Sequence, residues 1–198
     1  MKRLLIVVDY QNDFVTGALG FEKAKTLEPY IASLIEQYKK KGDDVIFTMD
    51  THQENYLNTE EGKYIPVVHC VRGTEGHKLY GKINRLAGGF LVFEKRAFPS
   101  SQLCFYLRGC DYDEITLVGL VTHLCVLSNA VMAKAALPFA HIVIDAKGCA
   151  DNDETLEKIY FIPQGAFGTG LHETTQDCLR YILKSDLNYL ESCLLNIT

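Results

Sequence analysis

Short apolar runs rich in β-branched residues recur at Leu4–Val8, Asp44–Thr48, Leu91–Phe93, Ile115–Val118 and His141–Ile144. Segments of helical periodicity lie between or beside them, at Leu27–Lys39, Gln102–Leu107 and Cys125–Ala136. A strand that reads as a continuous apolar run is covered on both faces, so it needs helices above and below the sheet. Alternation of such runs with helices predicts an α/β fold, a three-layer α/β/α arrangement with a central, mostly parallel sheet. A chain of 198 residues can bury a core of that size. The polar stretch Thr51–Lys82 interrupts the alternation, and loops of that length are uncommon unless they carry function.

Composition removes several classes of partner. A formal charge of −5 supplies no basic stripe to neutralise phosphates, so no nucleic acid is expected. No apolar run approaches the ~20 residues that cross a bilayer, so no membrane is expected, and Met-Lys-Arg leads into a strand rather than a signal peptide. Seven cysteines, an odd number without a C-x-x-C pair, do not form a disulfide framework. A reducing, cytoplasmic location follows as the expectation.

Three polar residues stand where strands are expected to end. Asp9 closes the first apolar run, Lys95 closes Phe90–Phe93 with one residue between, and Cys125 sits in GLVTHLCVLSNA between a strand and a helix. Open α/β sheets place their sites at the carboxyl ends of strands. A thiol near a helix N-terminus gains from the partial positive charge there, which favours thiolate. Asp9 is then a candidate base for the thiol and Lys95 a candidate charge to hold the thiolate. The residues alone leave a plainer alternative, in which the cysteine is an inert small hydrophobe and the aspartate a helix cap.

Asp50-Thr51-His52 follows the second run, and His69 comes 17 residues later. Asp-x-His in an extended segment puts both side chains on one side. Three N/O ligands that leave positions open fit a catalytic divalent metal, and zinc, iron and manganese all suit the set. Solvated loop histidines are the alternative.

VVDYQNDF (Val7–Phe14), FEKRAFPSS (Phe93–Ser101) and GLVTHLCV (Gly119–Val126) resemble the isochorismatase-like cysteine hydrolases, and the resemblance spans Leu4 to Asp153. It implies Asp9, Lys95 and Cys125 as the catalytic triad. It also implies a cis peptide at Leu120–Val121, and an oxyanion hole formed by the amides of Val121 and Cys125. DTHQENY and EGKYIPVVHCVRGTEG, within Asp50–Gly76, resemble the nicotinamidase branch. That likeness implies metal binding at Asp50, His52 and His69, with zinc the first choice and Glu61 a candidate fourth ligand. The ion would hold the ring nitrogen of nicotinamide, and isochorismate-cleaving relatives generally lack it. The implied reaction converts nicotinamide, a small-molecule amide, to nicotinate and ammonia through a cysteine thioester. Another small-amide hydrolase and a catalytically silent binding member are the competing readings. A homo-oligomer is expected.

Phe14 and Phe98 are candidate walls for a flat ring, or plain core. Gly73-Thr74-Glu75-Gly76 lacks a following G-K-[ST] and reads as a turn. Cys70, adjacent to His69, should point away from the metal if the segment is extended. The expected division is a hydrolase domain over 1–160 and a divergent segment over 161–198 packed on it. GAFGTGLHETT within that segment resembles a motif of ribosomal-protein lysine methyltransferases. No Gly-rich cofactor loop follows it, so no methyl transfer is inferred. His172–Leu183 reads as a helix, with Leu179, Ile182, Leu183, Leu187 and Leu190 available for docking.

Overall fold

Strand β1 (Arg3–Val8) is apolar on both faces because it lies at the centre of the sheet. The computed structural model describes residues 1–152. Among the described residues, five strands run in the order β3-β2-β1-β4-β5. The other strands are β2 (Asp44–Asp50), β3 (Leu91–Lys95), β4 (Glu114–Leu120) and β5 (His141–Ala150), and every pairing is parallel.

Period-2 alternation divides the apolar residues between two cores. Leu5, Val7, Val45 and Phe47 share one core with Ile31 and Ile35 of α3 (Glu28–Lys41) and Ile83 of α5 (Gly81–Leu86). Leu4, Ile6, Val8 and Leu117 share the other with Leu103 and Leu107 of α6 (Ser101–Leu107) and Ala130 and Ala133 of α7 (Leu127–Ala136). The helices end where local chemistry dictates. Pro29 opens α3 and Gly42 closes it at φ 75°, returning its amide to the carbonyls of Lys39 and Tyr38. The Ser100 side chain caps α6 by accepting from the Leu103 amide.

One strand departs from expectation. Leu91 and Val92 are 50% and 41% exposed, because β3 is an edge strand and lacks full cover. The long polar stretch is also more ordered than a loop. It holds α4 (Glu60–Tyr64), capped by the Thr59 side chain, and a parallel bridge between His52 and Val71. Gly73 lies at φ 84° in a turn closed by the Thr74 amide on the Val71 carbonyl, as the turn reading required. Two further short helices, α1 (Asn12–Val15) and α2 (Glu22–Thr26), lie between β1 and α3.

Register brings the site together. Val8 pairs with both Thr48 and Gly119, and Asp50 pairs with Lys95, so Asp9, Asp50 and Lys95 share one end of the sheet. Gly119 lies at φ 124°, and a Cβ there would stand 1.9 Å from the Val8 carbonyl oxygen. Only glycine lets β4 close on β1 at that point. Among the described residues, no helix is long and apolar enough to cross a membrane. The expected boundary at 160, the segment 161–198 and its helix lie outside the described residues.

Candidate active site

The Lys95 ammonium is surrounded by acceptors. Its Nζ lies 2.6 Å from Asp9 Oδ2 and 3.5 Å from Asp50 Oδ1, and it donates to Cys125 Sγ at 3.4 Å and to the Ala97 carbonyl at 3.1 Å. Asp9, Lys95 and Cys125 are all buried. The Thr48 hydroxyl donates to Asp9 Oδ1 at 2.7 Å and fixes the carboxylate from its other side. Asp9 also sits at φ 47°, in the left-handed region, where the chain turns out of β1.

Burial is the largest influence on each of these groups. It pushes the Asp9 carboxyl and the Cys125 thiol up, while the Lys95 charge pulls both back. Burial also disfavours the Lys95 ammonium, but Asp9, Cys125 and Asp50 together outweigh it and hold the lysine pKa well above the ordinary value. These neighbours favour the charged form of the lysine. Thiol and carboxyl are close enough to share a proton, which suits a base that must also return that proton later.

Cys125 lies in a π-helical turn, Thr122–Val126, that runs into α7, so the helix proper begins two residues beyond the thiol. This refines the expected strand-to-helix junction. The Leu120–Val121 peptide is cis, and the Val121 carbonyl accepts from the Leu124 and Val126 amides at 3.3 and 3.2 Å. Those donors flank Cys125.

Beside the thiol, Asp50, His52, Glu61 and His69 each offer one ligand atom, and the four atoms lie within 4.8 Å of one another. His52 Nε2 and His69 Nε2 stand 2.8 and 3.3 Å from Asp50 Oδ2, and 3.6 and 3.9 Å from Glu61 Oε1. His69 Nδ1 lies 2.7 Å from the Val67 carbonyl. A carbonyl can only accept, so Nδ1 carries a proton, and Nε2 is the nitrogen turned toward Asp50 and Glu61. His52 Nε2 is buried and makes no aligned hydrogen bond among the described residues. A buried imidazole nitrogen facing two carboxylates and a second imidazole fits a divalent cation.

Burial opposes ionisation of Asp50, but His52, His69 and Lys95 outweigh it and hold its carboxyl below the usual range. Glu61 shifts the other way, raised by burial and by Asp50. Cys70 stays outside the cluster, though not by extended alternation. It turns away at φ 45°, and its amide donates to Asp13 Oδ2 at 2.7 Å.

Phe14 is core and site neighbour at once: it is buried, with its ring centroid 5.5 Å from that of His69. Phe98 is partly buried against the second core, and its carbonyl accepts from Asn129 at 3.0 Å.

Residues 3–161 match the model of the isochorismatase domain family. The chain belongs to the isochorismatase family. One relative in Bacillus subtilis, an uncharacterised isochorismatase family protein PncA, is 35% identical over 145 residues, covering 67% of this chain and 79% of its own. A nicotinamidase of Acinetobacter baylyi is 26% identical over 184 residues, covering 77% of this chain and 84% of its own. The crystal structure of nicotinamidase PncA from Bacillus subtilis superposes with a TM-score of 0.68 at 29% identity, covering 92% of this chain and 95% of that one.

In this isochorismatase-family chain, two buried amides hold the site, and neither was singled out from the sequence. Asn129 donates to the carbonyls of Cys125 (2.8 Å) and Phe98 (3.0 Å) and accepts from the Ser100 amide (2.9 Å). Its position four residues after Cys125, one helical turn on, is the signal that could have found it. Gln11 accepts from the Asp50 amide (2.8 Å) and donates to the carbonyls of Asp50 (2.9 Å) and His77 (2.7 Å). Gln11 thereby ties the segment that follows Asp9 to a metal-ligand candidate. No sequence pattern gives that partner.

Proposed function

We propose that this chain is a nicotinamidase-like amidohydrolase acting through Asp9, Lys95 and Cys125. The observation that carries the reading is the contact between two chemistries. Lys95 touches the thiol at 3.4 Å and Asp50, one of four clustered metal-ligand candidates, at 3.5 Å. The nicotinamidase names of its relatives support the same substrate.

In this reading Asp9 takes the Cys125 proton while Lys95 holds the developing negative charge. The sulfur attacks the carboxamide carbon, the carbonyl π pair moves to oxygen, and the amides of Val121 and Cys125 donate to that oxygen. Such donors contribute ~3–4 kcal/mol each to the transition state. Collapse expels ammonia, with the proton returned from Asp9, and leaves a thioester. Water, deprotonated by Asp9, then releases nicotinate and restores the thiol.

Asp50, His52 and His69, with Glu61 beside them, would hold a divalent cation, with zinc the first candidate. When bound, that ion supplies a Lewis-acidic position for the pyridine nitrogen. Phe14 and Phe98 would flank the ring. Ammonia release from nicotinamide, compared with a panel of small amides lacking a ring nitrogen, tests the reading. A preference for nicotinamide that disappears on chelation is expected. Equal turnover of the amides that lack a ring nitrogen would refute the substrate.

A further inference from the structure

His123 and Asp151 join the nucleophile turn to the end of β5, and the mechanism above uses neither. Asp151 Oδ2 accepts the His123 backbone amide at 3.1 Å and also the His123 ring nitrogen Nδ1. The Asp151 side chain is 3% exposed and the His123 side chain 23% exposed. A carboxylate can only accept, so Nδ1 is the protonated nitrogen, and the two donors of one residue grip a single oxygen. The register explains why this carboxylate is within reach. Ala150 pairs with Leu120, so Asp151 and Val121 leave adjacent strands side by side.

His123 lies between the two amides assigned to the oxyanion hole. Val121 is two residues before it and Cys125 two residues after, all within or beside the π-helical turn. A π-helical turn is wider than an α-helical one and is seldom adopted without a tertiary reason. Asp151 supplies one by holding the middle of the turn from outside. We infer that the His123–Asp151 pair is a positioning device that aims the Val121 and Cys125 amides at one point, and so governs oxyanion stabilisation without touching substrate.

This inference rests on the oxyanion role proposed above, so its test needs a probe that works whether or not nicotinamide is the substrate. A simple aliphatic aldehyde serves. The thiol proton passes to Asp9, the S–C bond forms, and the carbonyl π pair becomes the oxygen lone pair that the two amides hold. Iodoacetamide is the control, because displacement of iodide at its methylene creates no oxyanion.

The variants are His123→Ala, Asp151→Ala, the double variant, and Asp151→Asn, which keeps one acceptor and carries the test if the alanine variant folds poorly. Expected for Asp151→Ala is a loss of aldehyde affinity of roughly 10- to 100-fold, below the ~10²- to 10³-fold that outright removal of one oxyanion donor costs, because the donors are misaimed and not removed. A matching loss of kcat on nicotinamide should accompany it, with KM and the rate of Cys125 alkylation within about twofold of wild type. His123→Ala should lose less, Asp151→Asn should recover part, and the double variant should equal Asp151→Ala, since the residues act as one unit. Unchanged aldehyde affinity in a folded Asp151→Ala or Asp151→Asn would overturn the inference. So would a parallel fall in alkylation, which would mean that the thiol itself had moved, or losses that simply add. Wild-type protein that binds aldehyde but releases no ammonia from nicotinamide would refute the substrate and leave this test standing.

Discussion

Replacing Lys95 with methionine keeps the length and apolar bulk of the side chain and removes only its charge. In the folded protein that charge stands 3.4 Å from the Cys125 sulfur. Through an effective dielectric of ~20, a unit charge at that distance is worth roughly 5 kcal/mol to a thiolate. Asp9 loses the same neighbour at 2.6 Å and takes up a proton in response, which cancels part of the effect. If about half survives, the thiolate population at neutral pH falls by roughly 30- to 150-fold. Taking one partner from a buried ion pair also destabilises the fold by ~3–5 kcal/mol, a fall in melting temperature of roughly 6–20 °C for a domain of this size.

The assay is alkylation by iodoacetamide between about pH 6 and pH 10, with peptide mapping to separate Cys125 from the other cysteines. Lys95 lowers the proton affinity of the thiol against the upward push of burial, so its removal must move the rising limb of the profile to higher pH. A folded Lys95→Met protein with the wild-type rate and the wild-type midpoint would refute the electrostatic role of Lys95.

Three other outcomes follow from the geometry. Chelation should raise KM for nicotinamide while leaving Cys125 alkylation within about twofold, because the cation in contact with the thiol is Lys95 and it stays in place; metal analysis and parallel alkylation rates check this. Gly119→Ala should prevent stable folding or cost more than ~3 kcal/mol, since its Cβ would meet the Val8 carbonyl at 1.9 Å; soluble yield and thermal denaturation read the outcome. Asn129→Leu should cost ~2–4 kcal/mol and slow alkylation, because the Cys125 and Phe98 carbonyls and the Ser100 amide lose their buried partner together; denaturant titration measures the first and mass spectrometry the second.

The parts of this molecule legible in the sequence were those set by short-range pattern. Leu4–Val8 alternates between two cores, so it reads as apolar throughout, and the parallel sheet follows. Asp9 and Lys95 could be singled out because each ends such a run. The metal-ligand candidates were visible as a doublet and a distant histidine, and the structure brings Asp50, His52, Glu61 and His69 together.

What stayed hidden depends on tertiary neighbours. Leu91 and Val92 look like any buried strand, and only strand order shows that they lie on an edge. Gln11, Thr48 and Asp151 act through partners 39, 39 and 28 residues away, and no local pattern encodes those distances. Cys70 avoids the metal cluster by a left-handed turn that its sequence does not announce.

Ammonia release from nicotinamide by wild-type protein and by Cys125→Ala, prepared side by side with matched metal content and matched melting temperature, tests the central claim most directly. Turnover in the wild type and a loss of at least ~10⁴-fold in the variant is the predicted result, because Cys125 carries the sulfur that Lys95 contacts and the proposed attack needs that sulfur. Turnover by a homogeneous, folded Cys125→Ala protein within tenfold of wild type would contradict it.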